Sequence, residues 1–198
     1  MVSIASVAAA QPEQPVGGFV VDLRGSAAPY GQNEELAGPL GFNTFATPSR
    51  GVGFEAGAHA YVFRWSVVTF GVGASFHTSR GSSVPDPEFV GGPPLRTTFT
   101  AVSPQVSFNF GGRDGWSYLS GGLGSSRLSL FPLDAEEPAQ RSANTLNYGG
   151  GVRWFLNARL AFTIDLRLYA ISPLPALDGA PASPRATQLT LNVGASFR

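Results

Sequence analysis

The chain has 198 residues, of which 43% are hydrophobic and 13% charged, and its formal net charge is zero. This length predicts a single domain, and the charge balance provides no basic surface of the kind that binds nucleic acid. The absence of cysteine excludes a disulfide framework and a thiolate metal site.

The first ten residues form a run of small and apolar side chains that ends in three alanines before Gln11. Small residues at such a position are typical of a secretory cleavage site. We therefore interpret residues 1–10 as the remnant of a signal peptide. Residues 11–198 form the folded domain, which the strand pattern described below predicts to be an outer-membrane β-barrel. No segment approaches the roughly 20 apolar residues of a membrane-spanning helix. If the chain enters a membrane, it must do so as a closed barrel.

Apolar and polar residues alternate along eight segments, which is the pattern of a β-strand with two different faces. In the last segment, for example, Leu189 and Leu191 alternate with Thr190 and Asn192. Pro104 lies inside the fourth segment and predicts a bulge or a local gap, because proline cannot donate to a strand ladder. The pattern of the fifth segment leaves its facing open. The segments cover about 17–28, 51–63, 68–77, 97–110, 116–129, 144–155, 160–170 and 188–197.

Long and short connections between these segments alternate along the chain. Three connections are short and lie around residues 64–65, 111–115 and 156–157. The other four are long and rich in proline, and we expect them on the cell exterior. They are centred near Glu35, Val90, Ala135 and Asp178. This layout predicts an all-β fold, an eight-stranded antiparallel up-and-down transmembrane β-barrel.

The three tryptophans indicate which face of the barrel meets lipid. Trp65, Trp116 and Trp154 each lie beside one of the short turns. Indole side chains prefer the headgroup zone of a membrane, so we interpret the three as an aromatic girdle around a barrel whose apolar face points outward. The alternative is a soluble barrel with an apolar interior, whose outer face would be rich in charge.

The polar face is instead made mainly of Gly, Ser, Thr, Asn and Gln. Its few ionisable side chains lie in mid-strand; they are Asp22, Arg24, Glu55, His59, Arg153, Asp165 and Arg167, joined by His77. Three carboxylates balanced by three arginines are expected of groups in a confined space, so we predict a polar network that plugs the lumen. Glycines on this face, among them Gly73 and Gly151, are expected to leave small pockets.

A short motif occurs twice, as FVVDLRGSA at 19–27 and FTIDLRLYA at 162–170. It places one Asp–Arg pair on the first strand and one on the seventh. In a closed eight-stranded barrel these two strands flank the eighth. We therefore expect the two pairs to face each other across Gln188, Thr190 and Asn192.

The run SYLSGGLG at 117–124, the final run LTLNVGASF and the strand layout resemble a family of small eight-stranded barrels. These are the outer-membrane barrels of Gram-negative bacteria, of the OmpA transmembrane-domain, OmpX and OmpW kind. The resemblance implies the bacterial outer membrane as location, with outer-membrane lipid and lipopolysaccharide as partners and the barrel-assembly machinery during biogenesis. We expect a monomer with no cofactor and no nucleic-acid partner. Such proteins usually end on the aromatic residue, whereas Arg198 follows Phe197 here.

The sequence favours a structural or surface-interaction protein that acts through its four long loops and is not an enzyme. A porin-like barrel that passes small solutes is the alternative. A lipid-modifying enzyme is a minor alternative, because His77 and Ser79 have a spacing similar to that in outer-membrane lipid A deacylases. We predict no catalytic residue, since no carboxylate downstream of His77 is placed to orient it.

A metal site at Glu55, His59 and His77 is conceivable from the residue types. A turn at 64–65, however, would pair His77 with Gly51 or Gly53 and separate it from the other two side chains. We therefore predict no metal site.

Overall fold

The protein is described by a computed structural model that covers residues 16–31, 34–84, 88, 92–136, 141–177 and 182–198. Eight antiparallel strands follow one another around a closed barrel, and the first strand pairs with the eighth. The predicted fold class, an all-β eight-stranded up-and-down barrel, is confirmed. The predicted signal-peptide remnant at 1–10 lies outside the described residues.

The strands are β1 (Phe19–Pro29), β2 (Arg50–Trp65), β3 (Val68–Ser83), β4 (Leu95–Gly112), β5 (Gly115–Pro132), β6 (Ala143–Phe155), β7 (Leu160–Ile171) and β8 (Ala186–Phe197). The first long loop holds a short helix, α1 (Glu34–Ala37), and two 3-10 turns at Gly38–Leu40 and Thr44–Ala46. This loop packs against the barrel wall through Ala37, Ala46, Leu95 and Leu130, with Phe42 beside them. No helix in the described part of the chain is long and apolar enough to cross a membrane.

Four strands are clearly longer than the segments predicted for them. β2 and β3 have 16 residues each, and β4 and β5 have 18. On β3 the pairing continues to Ser83, because Thr78, Arg80 and Ser82 occupy outward positions without breaking the period of two. β5 stays paired with β4 as far as Pro132, whereas β6 begins opposite Ser126. The wall at β4 and β5 therefore extends beyond β6 on the loop side.

Outward positions on the strands are mainly apolar and exposed, whereas inward positions are mainly polar and buried. Val72 and Leu166 are 46% and 50% exposed, for example, while Asp165 has no exposed surface. The facing predicted from the alternation is confirmed for the clear segments.

The turn between β2 and β3 differs from the predicted one. It lies at Ser66 and Val67, and Ser66 has a φ of 55°, in the left-handed region. A bulge between Tyr61 and Phe63 then shifts the register of the two strands. Residues 63–68, FRWSVV, contain no glycine, proline or asparagine that would mark the position of the turn in the sequence.

The changed register alters the neighbours of His77. It lies directly opposite Glu55, so the predicted pairing with Gly51 or Gly53 is wrong. His59, four residues further along β2, lies opposite Gly73 instead.

The ladder between β4 and β5 has a gap around Pro104, as predicted. Residues 95–102 and 106–112 of β4 pair with β5, and the three residues between them do not. The reason is that proline has no N–H to donate. On the facing strand, a Cβ at Gly122 would lie 1.8 Å from the Pro104 carbonyl oxygen, so the close approach of the backbones requires glycine.

Candidate functional site

The centre of the lumen holds an alternating chain of carboxylates and guanidiniums. At one end Arg153 of β6 contacts Asp22 of β1 at two points, with Nη2–Oδ2 at 2.7 Å and Nε–Oδ1 at 3.1 Å. Arg24 then lies between two carboxylates: its Nη2 is 2.9 Å from Asp22 Oδ1 and its Nη1 is 3.1 Å from Glu55 Oε2. All four side chains are buried.

β7 supplies the other end of this chain. Arg167 contacts Asp165 through Nη2–Oδ2 at 3.0 Å and Nε–Oδ1 at 3.2 Å, and its Nε is 3.8 Å from Glu55 Oε1. Two strands lie between β6 and β1 in the closed barrel, and two between β7 and β2, so the ion pairs cross the lumen. Because a buried charge is costly unless it is paired, the six side chains depend on one another.

Neutral side chains add hydrogen bonds to the two aspartates. The Tyr118 hydroxyl donates to Asp165 Oδ2 at 2.7 Å, and Asn192 Nδ2 donates to Asp165 Oδ1 at 3.2 Å. Ser196 Oγ donates to Asp22 Oδ1 at 2.5 Å. These donors come from β5 and β8, so the network reaches strands that carry none of its charges.

The guanidiniums are held by neutral acceptors as well. Arg167 donates to Gln105 Oε1 at 3.1 Å and to Ser120 Oγ at 2.9 Å. Arg24 Nε donates to Thr163 Oγ1 at 3.3 Å. The six predicted charged residues are thus brought together and fixed in position by neighbours on most of the strands.

His59 lies at the edge of the network. Its Nδ1 is 4.0 Å from Asp22 Oδ2, and neither ring nitrogen has a hydrogen-bond partner among the described residues. A Cβ at Gly73 would come within 2.8 Å of the imidazole, and a Cβ at Gly151 within 2.7 Å of the Tyr118 hydroxyl. The expectation that these two glycines leave pockets is therefore wrong, because neighbouring side chains fill the space.

The two Asp–Arg pairs of the repeated motif do not face each other. Asp165 lies opposite Asn192 on β8, whereas Asp22 lies opposite Ser196, four residues further along. This stagger follows from the shear of a closed barrel. It turns Asp22 toward Arg153 rather than toward the pair on β7.

Two of the three predicted girdle residues face outward. Trp65 and Trp154 are 69% and 51% exposed, but Trp116 is 3% exposed and points into the lumen. Its assignment to the girdle is wrong, because alternation along β5 places it on the same face as Tyr118 and Ser120. Tyr118 was not predicted as a lumen residue for the same reason, since the small residues of β5 carry little information about which face points inward.

Trp116 belongs to an aromatic cluster at the short-turn end of the lumen. Its ring stacks on Phe155 with centroids 5.0 Å apart and meets Tyr61 edge-on at 5.8 Å. Arg198 covers this cluster: its Cζ lies 3.6 Å from the Phe155 centroid, and its guanidinium donates to backbone oxygens in two of the short turns. The residue that follows the terminal aromatic therefore helps to close this end.

A second cluster lies at the loop end of the lumen. It consists of Ala28, Tyr30, Phe99, Ala101, Ala143, Tyr169 and Ile171. Burial raises the pKa of the Tyr30 hydroxyl above its ordinary value. Tyr30 therefore stays neutral and shares a hydrogen bond of 2.9 Å with Ser79 Oγ. Apolar groups thus cover the charged centre from both ends.

The pair with deacylase-like spacing lies beside this second cluster. His77 Nε2 is 3.2 Å from Ser79 Oγ, and the imidazole packs against Phe99 and Tyr169. Both members of the pair are buried, and His77 Nδ1 has no hydrogen-bond partner in the described part of the chain. The geometry therefore offers an internal hydrogen bond rather than a nucleophile that substrate can reach.

Within the described ranges, no group of three or more His, Asp and Glu side chains is arranged to hold a metal ion. Glu55 and His77 are neighbours, contrary to the predicted register, but His59 does not join them.

Comparisons with known proteins identify the fold. No family model and no curated protein sequence matches the chain. Neisserial surface protein A (NspA) matches with a TM-score of 0.56 and 13% identity, over 91% of this chain and 96% of that one. Ail, the attachment invasion locus protein of Yersinia pestis, matches with a TM-score of 0.52 and 16% identity, over 92% and 99%. The chain therefore has the fold of the small eight-stranded outer-membrane β-barrels, and the predicted resemblance to that fold is confirmed.

Proposed function

We propose that this chain is a bacterial outer-membrane barrel with a closed lumen, which acts as a structural or surface-interaction protein through its long loops. The outer surface supports a lipid environment, since Phe19, Leu23 and Phe54 are 57%, 57% and 45% exposed on it. In water an apolar band of this extent would favour aggregation. In a membrane it matches the hydrocarbon layer.

The chain of ion pairs across the lumen is the observation that carries this proposal. An eight-stranded barrel is only wide enough for its own side chains. Here the middle layer is occupied by six paired charges, and an aromatic or apolar cluster covers it at each end. A solute would have to break ion pairs and displace both clusters in order to pass.

The long loops are the part of the molecule that can meet a soluble partner. The carboxylates of Glu34, Asp134 and Glu136 are exposed on the loop side, where divalent cations or a basic partner could reach them. Lipopolysaccharide and the barrel-assembly machinery as partners, the monomeric state and the domain boundary at Gln11 stay predictions.

Planar-bilayer recordings of the purified protein test the closed lumen. We expect no steady conductance from the unmodified protein. Arg167→Ala removes the link between Glu55 and Asp165, and we expect it to introduce conductance, whereas Arg159→Ala in an exposed turn should stay silent. Large, steady conductance steps in the unmodified protein would contradict the closed lumen and favour passage of small solutes.

A further inference from the structure

The outer surface of the barrel carries its strand arginines on one side only. Four of them occupy outward positions toward the loop end of β2 to β5; they are Arg50, Arg80, Arg96 and Arg127. The outward positions of β6, β7, β8 and β1 carry no charged side chain. The surface formed by these four arginines and the residues between them is called the basic wall below.

The register of the sheet brings these arginines together. Arg80 lies opposite Val52 on β2 and opposite Thr98 on β4, each two residues from the arginine of its own strand. Arg50 and Arg96 are therefore its diagonal neighbours, at the ~7–8 Å that is usual between such positions. Arg127 on β5 lies opposite Thr100, one outward position below Thr98.

The outward strand positions that form the basic wall carry hydroxyl groups and no carboxylate. Thr78 and Thr100 lie side by side between the arginines, with their Oγ1 atoms 3.2 Å apart. Glu55 is the only acidic residue on β2 to β5, and it points into the lumen. Arg127 Nε donates to Ser142 Oγ at 2.8 Å, which holds its guanidinium near the wall. The wall is thus complementary to an anion with several oxygen acceptors.

The height of the basic wall matches a lipid headgroup. Phe70 lies near the short-turn rim of β3, and ten residues separate it from Arg80. At about 3.3 Å per residue and a strand tilt of roughly 40°, this separation is about 25 Å, which is the height of the apolar band of a membrane barrel.

An apolar hollow lies lower on the same side of the barrel. It has a volume of about 520 Å³ and is lined on β4, β5 and β6 by Val106, Phe108, Leu119, Gly121, Leu146 and Tyr148. Gly121 has no side chain to fill it. Leu119 and Arg127 both point outward on β5, eight residues apart, so the hollow lies roughly 20 Å below the basic wall on the same side of the barrel.

We propose that the basic wall and the hollow bind a phosphate-bearing lipid of the outer leaflet. The guanidiniums and threonine hydroxyls contact its phosphates, and its acyl chains lie in the hollow. The proposal rests on the outer-membrane location in the proposed function and adds the chemical class of one partner and the side of the barrel on which it binds.

Native mass spectrometry of the purified, folded chain in detergent, titrated with diphosphorylated lipid A, measures this binding. The variant R80Q/R96Q/R127Q removes three wall arginines, and R64Q/R113Q/R159Q removes the same charge at the opposite rim. At roughly fivefold in affinity per arginine near an anionic group, we expect the apparent Kd to rise about 100-fold in the first variant. It should change less than about threefold in the second. If the triple variant does not fold, R80Q alone should raise the Kd about fivefold.

Two further probes identify the ligand. Lipid A without phosphates should bind weakly to the unmodified protein, with the same Kd that diphosphorylated lipid A has for R80Q/R96Q/R127Q. Inorganic phosphate at a concentration equal to that of the lipid should not displace bound lipid A. Equal binding with and without phosphates, equal losses in both triple variants, or displacement by inorganic phosphate alone would overturn the proposal. Conductance through the unmodified barrel would contradict the closed lumen but would leave these binding results standing.

Discussion

Glu55 shows at the level of one residue why the lumen charges act together. It is 1% exposed and lies between two guanidiniums, with Arg24 at 3.1 Å and Arg167 at 3.8 Å. A carboxylate in this position is held by its partners and not by water. Removal of either arginine therefore changes the environment of a charge that cannot leave the lumen.

We expect Arg167→Ala to lower the free energy of unfolding by about 3–5 kcal/mol, because it leaves Asp165 without its two-point partner in a buried site. Urea unfolding in lipid vesicles, followed by tryptophan fluorescence, measures the change. Arg159→Ala is the control, since Arg159 is exposed in a short turn and the loss there should stay within about 0.5 kcal/mol. Equal losses in the two variants would show that the lumen charge is not held by its partners.

The tryptophans make a second residue-scale prediction. In single-tryptophan proteins with the other two changed to phenylalanine, brominated lipid should strongly quench the fluorescence of Trp65 and Trp154, which are exposed on the outer surface. Trp116 should be quenched weakly, because it is stacked on Phe155 inside the barrel. Strong quenching of Trp116 would contradict its position in the lumen and would show that it faces lipid with the other two tryptophans.

Individual positions differ in how far their facing could be predicted from sequence. Asp22 and Asp165 lie in the runs VDLR (21–24) and FTIDLR (162–167), where large apolar and polar residues alternate, so their inward direction followed from the period of two. Trp116 and Tyr118 lie in a run of serine and glycine, where either face has small residues. Aromatic side chains then suit the lumen and the membrane interface equally well, and only the structure decides between them.

At the scale of the strand, the apolar outward positions should be sensitive to charge. We expect Val72→Arg, near the middle of β3, to cost about 2–4 kcal/mol in folding into lipid, since it places a guanidinium toward the bilayer centre. Leu166→Arg on β7 should behave in the same way. The measurement is the free energy of unfolding from vesicles.

Val84→Arg provides the matched control for this charge. Val84 follows β3 on the loop side and is 78% exposed, so the same substitution should change stability by less than about 0.5 kcal/mol. If Val72→Arg were tolerated as well as Val84→Arg, the outward face of β3 would not be in contact with hydrocarbon.

Strand faces were predictable but strand register was only partly so. The turn between β4 and β5 was located correctly, because glycine and aspartate in GGRDG mark it and Gly112 pairs with Gly115. The turn between β2 and β3 has no glycine or asparagine, and its left-handed residue is Ser66. The bulge before it adds one residue to β2, and no local sequence pattern predicts it. Because this extra residue shifts the register, the pairing of Glu55 with His77 could be seen only in the structure.

At the scale of the whole molecule, shear decides which charges meet. Asp22 and Arg153 are 131 residues apart in sequence, yet they form the shortest ion pair of the lumen at 2.7 Å. Composition predicted a balanced set of buried charges. It could not predict the order of the pairs, because that order depends on how far each strand is displaced along its neighbour when the barrel closes.

The sidedness of the barrel is the last prediction. An even number of strands places the start of β1 and the end of β8 on the side of the short turns, so all long loops share the opposite side. Of the four predicted loop centres, Val90 and Asp178 lie outside the described residues, Glu35 lies in α1, and Ala135 is described and exposed. Since the chain has no native cysteine, a single introduced one reports without background.

We expect Ala135→Cys to react with a membrane-impermeant maleimide on intact cells, because long loops face the exterior in barrels of this kind. Asn157→Cys, in the short turn before β7, should react only after the outer membrane has been permeabilised. Labelling of Asn157→Cys together with protection of Ala135→Cys on intact cells would show that the barrel has the opposite orientation in the membrane. That result would also place the basic wall at the inner leaflet, where its partner would have to be a phospholipid of the periplasmic side.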